Sequence, residues 1–248
     1  MDKVIVVTGA SRGIGAATAL AAGKAGYRVV VNFTKRREEA DGVVRELGKL
    51  GATAIAVQAD VAIEADVARL FAEADRRFGR LDALVNNAGV VGRSSRFVDL
   101  AAADLERVFA INVFGSFFCA REAVKRMSTA SGGRGGAIVN ISSGAATLGS
   151  PGEFIHYAAS KGAINTFTIG LAKEVAREGI RVSAIEPGMV DTEMQVASGD
   201  TGRMARIVPT VPMVRAAAAA EIAGPVMFLL SEAASYMTGA ILRVAGGR

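Results

Sequence analysis

Tyr157 and Lys161 stand four residues apart, with Ala158-Ala159-Ser160 between them. Four residues is one helical turn, so a helix here sets both side chains on one face. A free tyrosine has a pKa of about 10 and is a poor acid or base near neutral pH. An ammonium held beside it favours the phenolate and brings the group into a useful range. A phenol tuned in this way can give a proton to a carbonyl oxygen or take one from an alcohol. Ser142 and Ser143, directly after the apolar run Ala137–Ile141, can offer a hydroxyl to the same oxygen. Taken alone, a Y-x3-K pair reads as a half-exposed helical tyrosine and a solvated lysine. The elements around it decide otherwise.

A chain of 248 residues that is 51% apolar can bury a substantial core and fits one α/β domain, with no linker or repeat dividing residues 1–248. The single cysteine, Cys119, excludes a disulfide framework, and its apolar context Phe117-Phe118-Cys119-Ala120 reads as core. One histidine, His156, excludes a His-rich metal site. The first strand starts at once, without signal-peptide architecture, and no apolar stretch reaches bilayer length. These features predict a soluble, cytoplasmic protein. The net charge of +5 comes from dispersed Lys and Arg rather than a basic stripe, which argues against nucleic acid as a partner.

Strand-like runs at 3–8, 27–33, 53–59 and 81–86 alternate with helical patterns at 13–26, 36–50 and 63–78, most of which stop at a glycine. The pattern continues with a long helix at 101–128, a strand at 137–142, a helix at 155–178 and a strand at 180–185. Residues 189–215 read as irregular and as a candidate substrate lid, before a helix at 218–230 and a last strand at 239–244. Repeated β-then-α units predict a doubly wound parallel sheet of about seven strands with helices on both faces. Ligands of such sheets bind beyond the carboxyl ends of the strands, where Thr8-Gly9, Asn32-Phe33, Asp60, Asn86-Asn87, Ser142-Ser143 and Pro187-Gly188 gather.

The turn Thr8-Gly9-Ala10-Ser11-Arg12-Gly13-Ile14-Gly15 follows the first strand and opens the first helix. Gly9 permits a tight turn, Gly13 lets backbone approach a pyrophosphate, and Gly15 lets helix and strand pack closely. The spacing is G-x3-G-x-G, a departure from the commoner GxGxxG. An acid closing the second strand would select NAD through the ribose 2′-hydroxyl. That place reads Asn32-Phe33-Thr34-Lys35-Arg36-Arg37, with no acid before Glu38. Arg12, with Thr34, Lys35 or Arg36, suits a 2′-phosphate instead, which predicts NADP(H) over NAD.

Thr8–Gly15, the string Asn86-Asn87-Ala88-Gly89, a serine pair after the fifth strand and Tyr157-x3-Lys161 occur in the order of the classical short-chain dehydrogenases/reductases, which the chain resembles over nearly its whole length. The resemblance implies a Rossmann fold, a nicotinamide cofactor and hydride transfer to or from a carbonyl carbon. Tyr157 then matches the general acid/base, Lys161 the residue that lowers its pKa and holds the nicotinamide ribose, and Asn112 the asparagine that bends the long helix and anchors a relay water. Ser143 matches the catalytic hydroxyl, with Ser142 the alternative. It lies 14 residues before Tyr157, so the loop 144–154 is expected to carry one residue more than usual. Gly9, Ser11, Gly13, Ile14 and Gly15 are expected among the cofactor-binding residues. The same matching implies that Asp60 and Val61 face the adenine, Asn86, Ala88 and Gly89 the adenosine ribose, and Pro187, Gly188 and Thr192 the nicotinamide side. Ala245 departs from relatives that carry an acid there.

Substrate is less legible. Met189, Met194, Met204 and Met213 offer adaptable apolar contacts, and 147–156 forms a second wall. His156 projects about 100° from Tyr157 on an ideal helix, as a wall or interface residue. The string Phe154–Lys161 leans to glucose 1-dehydrogenase-like members, while overall similarity runs also to 3-oxoacyl-carrier-protein reductases, with Arg121, Lys125 and Arg126 as conceivable contacts for an acidic carrier. The outer faces of the two long helices imply a homotetramer. A sensor that binds nucleotide without chemistry is the reading from another class; retention of Asn112, Ser143, Tyr157 and Lys161 weighs against it.

Overall fold

A computed structural model describes residues 3–194, 200 and 202–248. Seven strands form one sheet in the order β3-β2-β1-β4-β5-β6-β7, every neighbour parallel. They are β1 Val4–Val7, β2 Arg28–Phe33, β3 Ala54–Gln58, β4 Ala83–Asn86, β5 Gly136–Ile141, β6 Ile180–Pro187 and β7 Ile241–Val244. The strands are mostly apolar on both faces rather than alternating, because the sheet is covered on both sides. All four residues of β1 are fully buried.

On one face, α1 Gly13–Lys24, α2 Arg37–Lys49 and α9 Ala219–Leu230 bury Ala19, Ala22, Leu47, Val226 and Leu229 against the sheet. The other face is covered by α3 Glu64–Phe78, α5 Gly115–Met127 and α7 Ile155–Val175. Helix α3 shows why these segments start and stop where they do. Glu64 and Asp66 stand in its first turn, Arg76 and Arg77 in its last, and Gly79 ends it at φ +71°. The charges complement the helix dipole, and a left-handed residue without a Cβ closes the C-terminus at little cost.

The expected long helix at 101–128 is three pieces: α4 Ala102–Phe109, a π-helical turn Ala110–Phe114, and α5. The loop after β5 folds into a short helix, α6 Ala145–Leu148, and residue Ser150 then takes φ +44°. Residues 189–215, expected to be irregular, hold a parallel bridge between Val190 and Ala217 and a short helix, α8 Arg203–Ile207. The described part of the expected lid therefore has structure of its own; residues 195–199 and 201 lie outside the described residues.

Candidate active site

The carboxyl ends of β1, β4, β5 and β6 open into a cavity of about 460 Å³. Its lining includes Ile14, Asn87, Gly89, Ser143, Tyr157, Lys161, Pro187, Gly188 and Thr192. Residues from the glycine turn, the fourth-strand end, the serine pair, α7 and the sixth-strand end thus share one wall system.

Tyr157 and Lys161 stand one turn apart on α7, with Lys161 Nζ 5.7 Å from the phenol ring centroid. Burial is the main influence on both. It raises the Tyr157 pKa, against a lowering by hydrogen bonding with Ser143 and by the charge of Arg203. It pulls Lys161 from 10.5 down to about 8. The ammonium donates to Ile141 O at 2.7 Å, so it is spent first on the end of β5. Burial acts on both groups, because an enclosed site disfavours the charged form of each.

The two serines separate cleanly. Ser142 is buried and its hydroxyl donates to Lys161 O at 3.1 Å, pinning α7 to β5. Ser143 is the one that bonds Tyr157, and it also accepts from Ala145 N at the start of α6. Asn112 sits inside the π turn and is fully enclosed. Its Oδ1 accepts from Val90 N at 2.8 Å, and its Nδ2 donates to Val90 O and to Ser160 Oγ. The Ser160 hydroxyl in turn donates to Tyr157 O at 2.7 Å. Asn112 therefore fixes both the loop after β4 and the first turn of α7.

The glycine turn has the space its role demands. A Cβ on Gly15 would stand 2.5 Å from Gly9 O and 2.4 Å from Asn87 Nδ2, and one on Gly9 would stand 2.9 Å from Ala88 Cα. Gly9 and Gly13 hold φ +60° and +55°, a region that favours glycine. Thr8 Oγ1 accepts from the amides of Asn87 and Ala88 and so joins the glycine turn to the loop after β4. A Cβ on Gly89 would lie 3.2 Å from Asn112 Oδ1 and 3.5 Å from Lys161 Nζ. The donor set and the glycine-lined cradle fit a dinucleotide laid from the glycine turn to Lys161.

Two expected ligands use their side chains differently. Asn32 is buried: its Oδ1 accepts from Gly9 N at 3.1 Å, and its Nδ2 donates to Ala59 O at 3.0 Å. It stitches the turn to the sheet rather than facing the cavity. Asn86 donates to Asn140 Oδ1 at 2.9 Å, and Asn140 donates to Thr168 Oγ1 at 2.9 Å. This buried chain ties β4 to β5 and α7, and Asn87, not Asn86, lines the cavity. Asp60 accepts from Ala62 N in its own turn, and Val61 is buried beneath Gly115. Thr34 donates to Ala59 O, and Lys35 is exposed beside it.

Arg12 is not idle. It forms an ion pair with Glu193, in the segment after β6, and Arg36 Nη2 lies 3.4 Å from the same carboxylate. Elsewhere in the cavity lining, Arg203 Nε lies 3.1 Å from Glu153 and its guanidinium covers the Phe154 ring at 5.2 Å. His156 lies away from the cavity lining, packed on Gly92, with its pKa lowered chiefly by burial. Arg121, Lys125 and Arg126 are ion-paired with Glu64, Glu122 and Asp75. Cys119 is enclosed and its thiol pKa is pushed up by burial. Of these features the sequence did not reveal Asn140, Ser160, Glu193 or the Glu153–Arg203 pair. Asn140, a polar residue inside an apolar strand, was the one visible signal.

The model of the short chain dehydrogenase family matches residues 3–202. The chain is 46% identical over 245 residues to an uncharacterized oxidoreductase of Escherichia coli strain K12, covering 99% of both chains. It is 39% identical to a 3-oxoacyl-[acyl-carrier-protein] reductase of Synechocystis, covering 99% of this chain and 96% of that one. Among solved structures, a variant of a Serratia marcescens short-chain dehydrogenase/reductase superposes with a TM-score of 0.91 at 34% identity, over 99% of this chain and 97% of that one. No helix among the described residues is long and apolar enough to cross a membrane.

Proposed function

The chain belongs to the short-chain dehydrogenase family and is an oxidoreductase, and we propose that it reduces a carbonyl compound to a secondary alcohol with NADP(H). The observation that carries this reading is the Tyr157–Ser143 couple, hydrogen-bonded in the lining of a cavity that Ile14 of the glycine turn also lines. A nicotinamide dinucleotide, when bound, supplies the hydride. Backbone amides from Ser11 to Ile14 and the start of α1 hold its pyrophosphate. Arg12 and Arg36, with Thr34 and Lys35 beside them, take the 2′-phosphate. Asp60 and Val61 border the adenine, Ala88 and Gly89 the adenosine ribose, and Pro187, Gly188 and Thr192 the nicotinamide.

The protein supplies a proton and a rigid geometry. Because burial keeps the Tyr157 proton on at neutral pH, the phenol is set to donate to the carbonyl oxygen, while Ser143 orients that oxygen. As carbon gains hydride and oxygen gains the phenolic proton, the tyrosine is left as a phenolate. Lys161 is the cation placed to offset that charge and to hold ribose hydroxyls. With its pKa near 8 it can also release a proton near neutral pH. Asn112 keeps the first turn of α7 and the loop after β4 in register with this step.

A 3-oxoacyl thioester is the narrower substrate reading, favoured by the cyanobacterial relative. A carrier protein docking on α5 would compete with the ion pairs of Arg121, Lys125 and Arg126. A homotetramer accords with the exposed Phe114, Phe117 and Ile169 on α5 and its neighbours, and a cytoplasmic setting with the cofactor. The deciding experiment is a panel of aldehydes, ketones, sugars and 3-oxoacyl thioesters with NADPH, in wild type and Tyr157→Phe. Turnover that depends on Tyr157 supports the reading; tight NADPH binding with no turnover on any substrate revives the sensor.

A further inference from the structure

Three segments far apart in sequence meet at one carboxylate. Arg12 comes from the glycine turn after β1, Arg36 from the N-terminus of α2, and Glu193 from the wall segment after β6. Arg36 is shared, since it also holds Glu39 at 2.8 Å. The residues flanking Glu193 are cavity residues: Thr192 and Met194 both line it, and Thr192 Cγ2 lies 3.4 Å from where a Gly13 Cβ would stand. The wall is thus drawn down onto the glycine turn, and its tether is an oxyanion held by two guanidinium groups. Carboxylate and phosphate are interchangeable ligands for such groups, because both offer paired oxygens to a planar fork of donors.

We propose that Glu193 is an internal stand-in for the cofactor's 2′-phosphate, occupying Arg12 and Arg36 until NADP(H) displaces it. The inference rests on the reading of Arg12 and Arg36 as the 2′-phosphate site. Two consequences follow from the geometry. NADPH must compete with a tethered carboxylate whereas NADH, with a hydroxyl at that place, need not, so Glu193 narrows the preference between them. The displaced residue lies between two cavity residues, so recognition of the phosphate reaches the substrate wall through Thr192 and Met194. A ligand can do this only through contacts that differ between the two arrangements, and the shared arginines are that difference.

The test is titration calorimetry with 2′,5′-ADP, ADP, NADPH and NADH, in wild type, Glu193→Gln, Glu193→Asp and Arg12→Ala. Glu193→Gln should tighten 2′,5′-ADP and NADPH about three- to tenfold, the scale of two exposed ion pairs, and leave ADP and NADH unchanged. Glu193→Asp, which keeps the charge, should stay near wild type. Weaker binding of NADPH to Glu193→Gln, or an equal change for all four ligands, overturns the proposal. Hydrogen exchange at residues 189–194 gives a second reading: wild type should differ between NADPH and NADH, and Glu193→Gln should not. A variant that still shows the difference overturns the coupling. The two readings fail separately. Arg12→Ala with undiminished NADPH affinity removes the 2′-phosphate site itself, whereas a loss in Arg12→Ala with no gain in Glu193→Gln removes only the stand-in.

Discussion

On the β4–β6 side of the cleft, side chains are held by buried hydrogen bonds: Asn86 to Asn140 to Thr168, Asn112 to Ser160, Ser142 to the backbone of Lys161. On the β1–β3 side, Arg12 and Arg36 are held by exposed ion pairs to Glu193 and Glu39. The difference follows from what each side must do. A proton transfer needs atoms fixed to a fraction of an ångström, and enclosed, fully bonded groups give that rigidity. A charged ligand must win its contacts from something, and solvent-exposed ion pairs contribute little enough to be exchanged. One side resists change and the other is built to be swapped.

The sharpest way to break this contrast is at the tyrosine. Tyr157→Phe should lower kcat by about 10²–10⁴-fold while changing NADPH affinity by less than about twofold, as steady-state kinetics and calorimetry would report. Comparable loss of binding would mean that the rigid side also carries the cofactor.

Next comes the desolvated lysine. Between about pH 8 and 10.5 the unfolded chain retains a proton that folded Lys161 has lost. The unfolded state binds more protons, so stability rises with pH across that window, by about 2–3 kcal/mol up to pH 10. Denaturant titrations of wild type and Lys161→Met should show this rise in the first and not in the second.

Asn140→Ala removes two buried hydrogen bonds, leaving Asn86 with only Ser116 O and Thr168 with only Ile164 O, and should cost about 2 kcal/mol, or about 4–8 °C in Tm. Smallest is the exposed side: Arg12→Ala should weaken NADPH about tenfold, spare NADH, and change stability by less than about 0.5 kcal/mol. Should Arg12→Ala unfold the chain as readily as Asn140→Ala, the proposed division between fixed and exchangeable contacts is lost.

The sheet and its helices were legible because each βα unit announces itself: an apolar run, a periodic stretch and, in most units, a glycine such as Gly26, Gly51 or Gly79 that can take positive φ. Tyr157, Lys161, Ser143 and the glycine turn were legible because their spacing is local and helices convert local spacing into facing. The ion pair of Arg12 with Glu193 spans 181 residues, and nothing local marks it. The state of Lys161 was also hidden, since its desolvation depends on what covers it rather than on its neighbours in sequence. His156 shows the limit of a helical wheel, which put it away from Tyr157 but could not place it inside, against Gly92.

The π turn at Ala110–Phe114 has a meaning for anyone recutting this chain. A wider turn takes in one residue more than a regular helix would, so everything after it is advanced by one step of about 100°. Cys119, Ala123 and Met127, all downstream of that offset, are buried in α5. Deleting a single residue from the turn would make a straighter and locally more regular helix, yet would swing those three out of the core and bring polar neighbours in. The irregular turn sets the angular phase of α5, and the core on that face of the sheet is assembled around it.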